Sequence, residues 1–448
     1  RVWRCGEARD DNAAQAWHAS FCMKQLSLSA YGMGLFSLVL GLYACLAIQG
    51  ALPMLSPDET AVAQLAPRAL VSGIVLSEPR AIDAIWLHPR SFVAQQGALL
   101  PVGFPLWIAC LALVGWMGGN VALWMAAAVA ASFTLPLVWL MARFTKLSRP
   151  SIALTVLAMA TFPVAMLYGN RSFFTLMPQI ACALWSCWLL VESQGRRSWL
   201  VAAGLACALT LGLRPTEAPW ILPFMVYTWV VLAKEQRSSF GWVCLGGLMG
   251  AGLVAAVHAW VYGSPFVIGY WLSSGSDQVL STAAQPSAAP SFIGWRAFPY
   301  GFSLSRLRVN LVESWKLGFW PWMSAWVMVG IASLVEVWRT RSRERMVVLG
   351  LLVWTTAWLL FYYGQGSYAD HIGGQAMHLG NSFWRYLAPA ALGWMGYAAW
   401  FVLHEDRVRA CRVVGAVLLG ASVVGGTWWA LADTEDGLLR GRRERASY

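Results

Sequence analysis

An all-α, polytopic transmembrane protein is the fold class this sequence predicts, and three observations predict it. Of 448 residues, 58% are hydrophobic and only 12% charged, against roughly 25% charged in soluble domains. The mean hydropathy is +0.55. Apolar residues recur in runs of about 20, the length a helix rising about 1.5 Å per residue needs to cross a hydrocarbon core about 30 Å thick. A chain of this composition lacks the polar surface to sit in water. Its 28 Trp belong mostly at headgroup depth and on packed helix faces, where an amphipathic ring is satisfied at both ends.

Net charge and cysteine usage narrow the reading. The formal charge of +11 points at first to an acidic partner such as nucleic acid. The Lys and Arg residues, however, lie mainly in short blocks between apolar runs, where they set membrane orientation. No nucleic-acid partner is expected. The nine Cys show no CxxC and no metal-ligand spacing, so they read as small packing residues rather than disulfides or zinc ligands.

Taken in order, residues 1–27 form a polar, basic segment with Arg1, Arg4, Arg9 and Lys24. It is expected on the cytoplasmic side. The segment is too long and mixed for a signal peptide's basic region, so the first apolar run, Leu28 to Leu52, reads as an uncleaved signal anchor. A polar outer loop from Pro53 to Leu99 follows. Then come two apolar runs, Leu100–Gly118 and Asn120–Ala142.

If both crossed, every later basic block would be inverted. If Leu100–Gly118 lies in the interface, with Trp107 and Trp116 at headgroup level, one side receives all the short blocks. These are Arg143–Arg149, Arg196–Arg197, Lys234–Arg237, Arg339–Arg345 and Arg407–Arg412. The positive-inside rule selects the second arrangement. It gives about eleven spans in a transmembrane domain covering residues 28–431. The further spans fall near 151–168, 173–191, 198–213, 217–233, 241–262, 318–338, 346–363, 384–403 and 412–431.

The outer face then carries a first loop (53–118) with interfacial helices, the turns Gly169–Ser172 and Arg214–Thr216, and longer loops at 263–317 and 364–383. The tail 432–448 also falls outside, with Arg440, Arg442, Arg443 and Arg445 set against the rule. The Ser/Ala/Pro-rich stretch Ser281–Ser291 lacks apolar periodicity. No repeat of 20–50 residues argues for a solenoid.

Several pieces of this pattern occur together. Asp58-Glu59 is followed by Ala and Leu residues and Gly73. Next is Leu100-Pro101-Val102-Gly103-Phe104-Pro105-Leu106, and later Leu213-Arg214-Pro215-Thr216. Tyr262-Gly263-Ser264-Pro265-Phe266 and Phe383-Trp384-Arg385-Tyr386-Leu387-Ala388-Pro389 complete the set. The chain resembles the GT-C glycosyltransferases of the protein O-mannosyltransferase and lipid A aminoarabinose transferase type, over residues 28 to 403. The resemblance implies a catalytic Asp in the first outer loop, an interfacial helix after it, and a polyprenyl-phosphate sugar donor. There are departures: Asn170-Arg171-Ser172 brings no carboxylate to the second outer loop, and Arg214 stands where Lys is common.

The chemistry such a transfer needs can be placed on named residues. A carboxylate within reach of an acceptor hydroxyl takes its proton as the glycosidic bond forms. The phosphate leaves readily, and cations beside it stabilise the charge that grows there. Asp58 is the candidate base, with Glu59 to orient it or the acceptor. Both also fit the start of a surface helix, Asp58 as N-cap and Glu59 as first-turn acid.

Arg171, Arg214 and Arg385 each stand at the outer end of an apolar run, where a guanidinium holds phosphate oxygens bidentately or snorkels to headgroups. Tyr386 joins Arg385 in the donor-phosphate set. Glu217 pairs with Arg214. His88, His378 and Asp277 are candidate substrate contacts, Arg306, Arg308 and Lys316 face anionic headgroups or an anionic acceptor, and Trp86, Trp271 and Trp295 are candidates to stack on sugars.

His371 and His378 are seven residues apart but have no Cys near them. No cofactor is expected, and a divalent metal is left open. The expected partners are the polyprenyl-phosphate sugar, membrane lipids, and a glycan, lipid or protein acceptor. The expected place is a bacterial inner membrane, with the site on the periplasmic or extracellular side. A transporter or flippase for a lipid-linked or anionic substrate is the second class, and a lipid-binding scaffold or polysaccharide polymerase the third.

Overall fold

The computed structural model describes residues 11–49, 76–77, 92–95, 98–101, 103, 105–118, 121–170, 175–232, 239–267, 303–314, 326, 329–335, 343–364, 384–404 and 406–432. Helices dominate them. The first, α1, runs from Asp11 to Gln49. Short strands β1 (Leu76–Ser77), β2 (Phe92–Gln95) and β3 (Ala98–Pro101) form an antiparallel sheet in the order β1-β3-β2. Then follow α2 (Pro105–Gly118), α3 (Val121–Ala131), α4 (Thr134–Phe144), α5 (Arg149–Ala160), α6 (Pro163–Asn170), α7 (Leu176–Glu192) and α8 (Arg197–Leu213). The remainder are α9 (Ala218–Tyr227), α10 (Phe240–Tyr262), α11 (Leu304–Ser314), α12 (Arg343–Tyr363), α13 (Trp384–Leu403) and α14 (Arg409–Ala432).

The described residues carry several helices able to cross a membrane. Among the described residues, six helices are individually long and apolar enough to cross, or up to eight spans if each of two bent pairs counts as one. Several of the eleven expected spans take another form or lie outside these residues. Helix α7, with 17 residues, is about 26 Å long and falls short of a bilayer core. The run 151–168 is broken at Thr161-Phe162, and α5 and α6 bend by 70° across the break, where Pro163 cannot supply an amide proton to a continuing helix. Runs 198–213 and 217–233 make one pair bent by 111°. The expected span 318–338 lies largely outside the described residues.

Two further expectations change. The first outer loop holds a small sheet, a departure from an all-α fold, because Phe92–Gln95 and Ala98–Pro101 pair in register from Phe92↔Pro101 to Gln95↔Ala98. Trp107 is not at a headgroup surface. It is buried with Leu106, Ile108 and Leu111 against Leu213, Val257, Val261 and Tyr262, while Trp116 at the far end is 72% exposed. With 14 residues, α2 is about 21 Å long, too short to cross.

Among the described residues, the closest-packed helix pair is α8 against α10. A Cβ on Gly204 would lie 2.0 Å from the Val243 carbonyl oxygen, and one on Gly246 1.9 Å from that of Val201. The two backbones touch, with Gly250 on Ala208 and Gly212 on Val254 continuing the line. In lipid, where apolar surface drives no helix association, such close approach of small residues does. Gly246→Val is expected to destabilise the protein by about 1–3 kcal/mol or more and to lower its melting temperature in detergent. Gly247→Val is expected to leave it unchanged, because nothing lies within 4 Å of a Cβ there; equal melting temperatures for the two variants would remove the seam from the account.

Candidate functional site

The site begins at the break after α8. Pro215 disfavours a helical residue before it, and Arg214 takes an extended conformation, φ −150° and ψ 88°. The chain then makes a single 3-10 turn, Pro215–Glu217, and re-enters helix as α9. That geometry turns Arg214 and Glu217 to the same side. The Arg214 Nη1 lies 3.3 Å from Glu217 Oε1, and both side chains are buried.

Helix α12 staples this turn in place. Trp354 donates its indole N–H to the Pro219 carbonyl at 2.7 Å, and Trp358 donates to the Thr216 carbonyl at 3.1 Å. Tyr363 donates its phenol proton to Glu217 Oε1 at 2.9 Å. Having spent that proton, Tyr363 accepts from the Thr216 hydroxyl, 2.5 Å away. Trp220 donates to the second carboxylate oxygen, Oε2. Glu217 thus meets a guanidinium, a phenol and an indole while being wholly buried. A buried carboxylate needs that much compensation.

Helix α13 brings the second half. The Tyr386 ring stacks on Tyr363 with centroids 4.1 Å apart and planes 16° from parallel. The Arg214 guanidinium lies 5.0 Å from the Tyr386 centroid and 5.7 Å from that of Tyr363. Arg385 sits 4.6 Å from the Tyr386 centroid and donates to its hydroxyl. Two guanidiniums therefore address one tyrosine ring, and an arginine keeps its proton in any protein environment. Arg385 is half-buried, whereas Arg214 and Tyr386 are buried.

Below the cluster lies an apolar cavity of about 300 Å³, at the lower end of the range for ligand pockets. Helices α4, α5, α7, α9, α12 and α13 line it, and it is open on one side. Trp220 and Pro389 form its end nearest the arginines, while Met141, Val348 and Trp400 line it deeper. Trp220 is the shared wall, one side on the cavity and its N–H on Glu217. The deep end approaches a different charged layer, where Arg143 pairs with Glu192 at 2.5 Å and Arg345 stacks 5.3 Å from the Trp400 ring.

Of the residues singled out from sequence, the structure brings together Arg214, Arg385 and Tyr386, and it pairs Glu217 with Arg214. Asp58, Glu59, His88, Arg171, Asp277 and His378 lie outside the described residues, as do Trp86, Trp271, Trp295 and Lys316. Arg306 and Arg308 are exposed on α11, which docks through Asn310 onto the Gly364 carbonyl at 2.7 Å. Sequence reasoning missed Tyr363, Trp220, Trp354 and Trp358. The available signal was Trp354, Trp358 and Tyr362-Tyr363 recurring at helical spacing towards the end of one apolar run. Among the described residues, no three of His, Cys, Asp and Glu come together as a metal site.

No family model, curated protein or solved structure matches this chain.

The network carries a stability consequence. Glu217→Ala leaves the Arg214 charge buried without its carboxylate, and breaking such a pair costs about 3–5 kcal/mol. Tyr363→Phe removes one hydrogen bond to a charged group, worth about 1.5–3 kcal/mol. Thermal unfolding in detergent is expected to rank the wild type above Tyr363→Phe, and that above Glu217→Ala.

Proposed function

We propose that this chain is a membrane glycosyltransferase that moves a sugar from a polyprenyl-phosphate donor to an acceptor hydroxyl. The observation that carries the reading is the apolar cavity between the helices, one wall of which, Trp220, is hydrogen-bonded to Glu217 beside Arg214 and Arg385. A lipid-linked phosphate has those two parts: a long apolar chain and an anionic head. The cavity takes chain, and the guanidiniums take phosphate oxygens. In the transfer, the acceptor oxygen bonds to the anomeric carbon as the carbon–oxygen bond to phosphate breaks. The acceptor's proton passes to Asp58, and the phosphate leaves with the lipid against Arg385. Membrane lipids and a glycan, lipid or protein acceptor complete the partners.

The positive-inside rule supports the side. Arg143, Arg197, Arg345, Arg407 and Arg409 belong to helix ends away from the cluster, which sets Arg214 and Arg385 towards the outside. In a bacterial inner membrane that is the periplasmic face. A transporter or flippase is the second reading, and the two bent helix pairs favour it, since broken helices line many transport sites.

Transfer and transport are separated by measuring sugar transferred from a polyprenyl-phosphate-linked donor in purified membranes. Asp58→Asn is expected to lower it by about 10²–10⁴-fold with membrane insertion intact; undiminished transfer would remove Asp58 as base. Gly396→Leu fills a cavity wall that has room for it, its nearest neighbour being Met159 at 3.8 Å. It is expected to weaken donor use without lowering the melting temperature. Donor crossing the bilayer with its sugar bond intact would favour the flippase instead. Single cysteines placed at positions 146 and 171 are expected to label from opposite faces, and labelling of both from outside would overturn the orientation.

A further inference from the structure

We propose that Trp220 couples the cavity to the Arg214–Glu217 pair, so that an apolar chain in the cavity tightens the site's hold on a phosphate. The inference rests on the lipid-phosphate reading above and names a positioning residue that joins its two halves.

Trp220 belongs to both halves. Its side chain lines the cavity, and its indole N–H donates to Glu217 Oε2. Among the described residues, it alone both lines the cavity and bonds to a member of the ion pair. The backbone beside it is held from α12, where Trp354 bonds the Pro219 carbonyl and Trp358 that of Thr216. The indole is the adjustable part of this junction.

Its position matters because a glutamate carboxylate turns easily. The last torsion of the side chain has broad wells, so hydrogen bonds decide where the two oxygens point. Tyr363 and the Arg214 guanidinium address Oε1, and Trp220 addresses Oε2. Without the indole, one oxygen of a wholly buried carboxylate loses its donor, which is costly. The partner of Arg214 is then steadied from one side only. A guanidinium held less firmly before the ligand arrives grips it less well, because ordering it becomes part of binding.

Two positions are open to the ring. On Glu217 it forms a wall of the cavity; turned off the carboxylate, it enters a volume of about 300 Å³ that has room for it. An apolar chain takes that volume and shuts out the second position. The chain also supplies dispersion contacts to the cavity side of the ring. It therefore interacts better with one position than with the other, which is what a ligand needs to shift the balance between them. Phe224 stands edge-on to Trp220 along the same wall, with centroids 6.3 Å apart.

The test uses the full-length protein in a steroid-based detergent, which has no flexible chain to enter the cavity. Methyl phosphate binding is read from phosphorus NMR line broadening, with and without a saturating long-chain isoprenol. In the wild type the isoprenol is expected to tighten methyl phosphate binding about fivefold or more. Trp220→Phe keeps an aromatic wall and loses the N–H. It is expected to bind the isoprenol as before, with methyl phosphate affinity then moving by less than about twofold. Tyr363→Phe removes the donor on Oε1, away from the cavity, and separates a merely structural effect. It is expected to weaken methyl phosphate binding under both conditions while the tightening persists. Tightening that is absent from the wild type, survives in Trp220→Phe or vanishes in Tyr363→Phe overturns the role of Trp220, as does loss of isoprenol binding in Trp220→Phe. Each of these outcomes leaves the lipid-phosphate reading in place. Failure of either probe to bind the wild type removes that reading, and this inference with it.

Discussion

A buried ion pair at a broken helix is the interaction around which this structure is organised. Arg214 and Glu217 face each other across a single 3-10 turn, in surroundings with little water to solvate either charge. Burying charge is expensive, and pairing recovers the cost only when the remaining lone pairs and protons are also met. That requirement explains the neighbourhood. The indoles of Trp354 and Trp358 hold the carbonyls of the turn, and Tyr363 and Trp220 meet the carboxylate. Remove the pair, and four aromatic side chains lose much of the reason for their positions.

The same requirement shapes the cavity. Trp220 must reach Glu217, so its ring becomes a wall between the charged cluster and the apolar space beyond. Pro389 stands on the opposite helix, one turn after Tyr386, where it brings no amide proton to the helix ladder. An apolar volume and a cationic head are thus built from adjacent residues on the same helices. A molecule with one greasy and one anionic end is the occupant such a juxtaposition suits.

Much of this was legible in the residue order, but unevenly. Composition and run length identify a membrane helical protein directly, because a bilayer imposes length and polarity at once. Arg214, Arg385 and Tyr386 stand out because a charge at the end of an apolar run is visible in one dimension. What was not legible depends on pairing between distant segments. Tyr363 and Trp220 look like ordinary apolar-run aromatics until α12 is laid against the α8–α9 turn. The helix bends were hidden for a related reason: hydropathy registers Pro163 and Pro215 inside or between apolar stretches but not the 70° and 111° bends made there. Trp107 reads as an interfacial ring by its type, and packing against α10 decides otherwise.

The glycine seam between α8 and α10 bears on how anything enters. Backbone lies on backbone at Gly204 and Gly246, and the line continues through Gly250 on Ala208 to Gly212 against the Val254 side chain, two residues short of Arg214. With backbone on backbone at its centre, this half of the site behaves as a fixed jamb. Whatever swings to admit a guest is therefore carried on the other half, where the Tyr386 ring of α13 stacks on Tyr363.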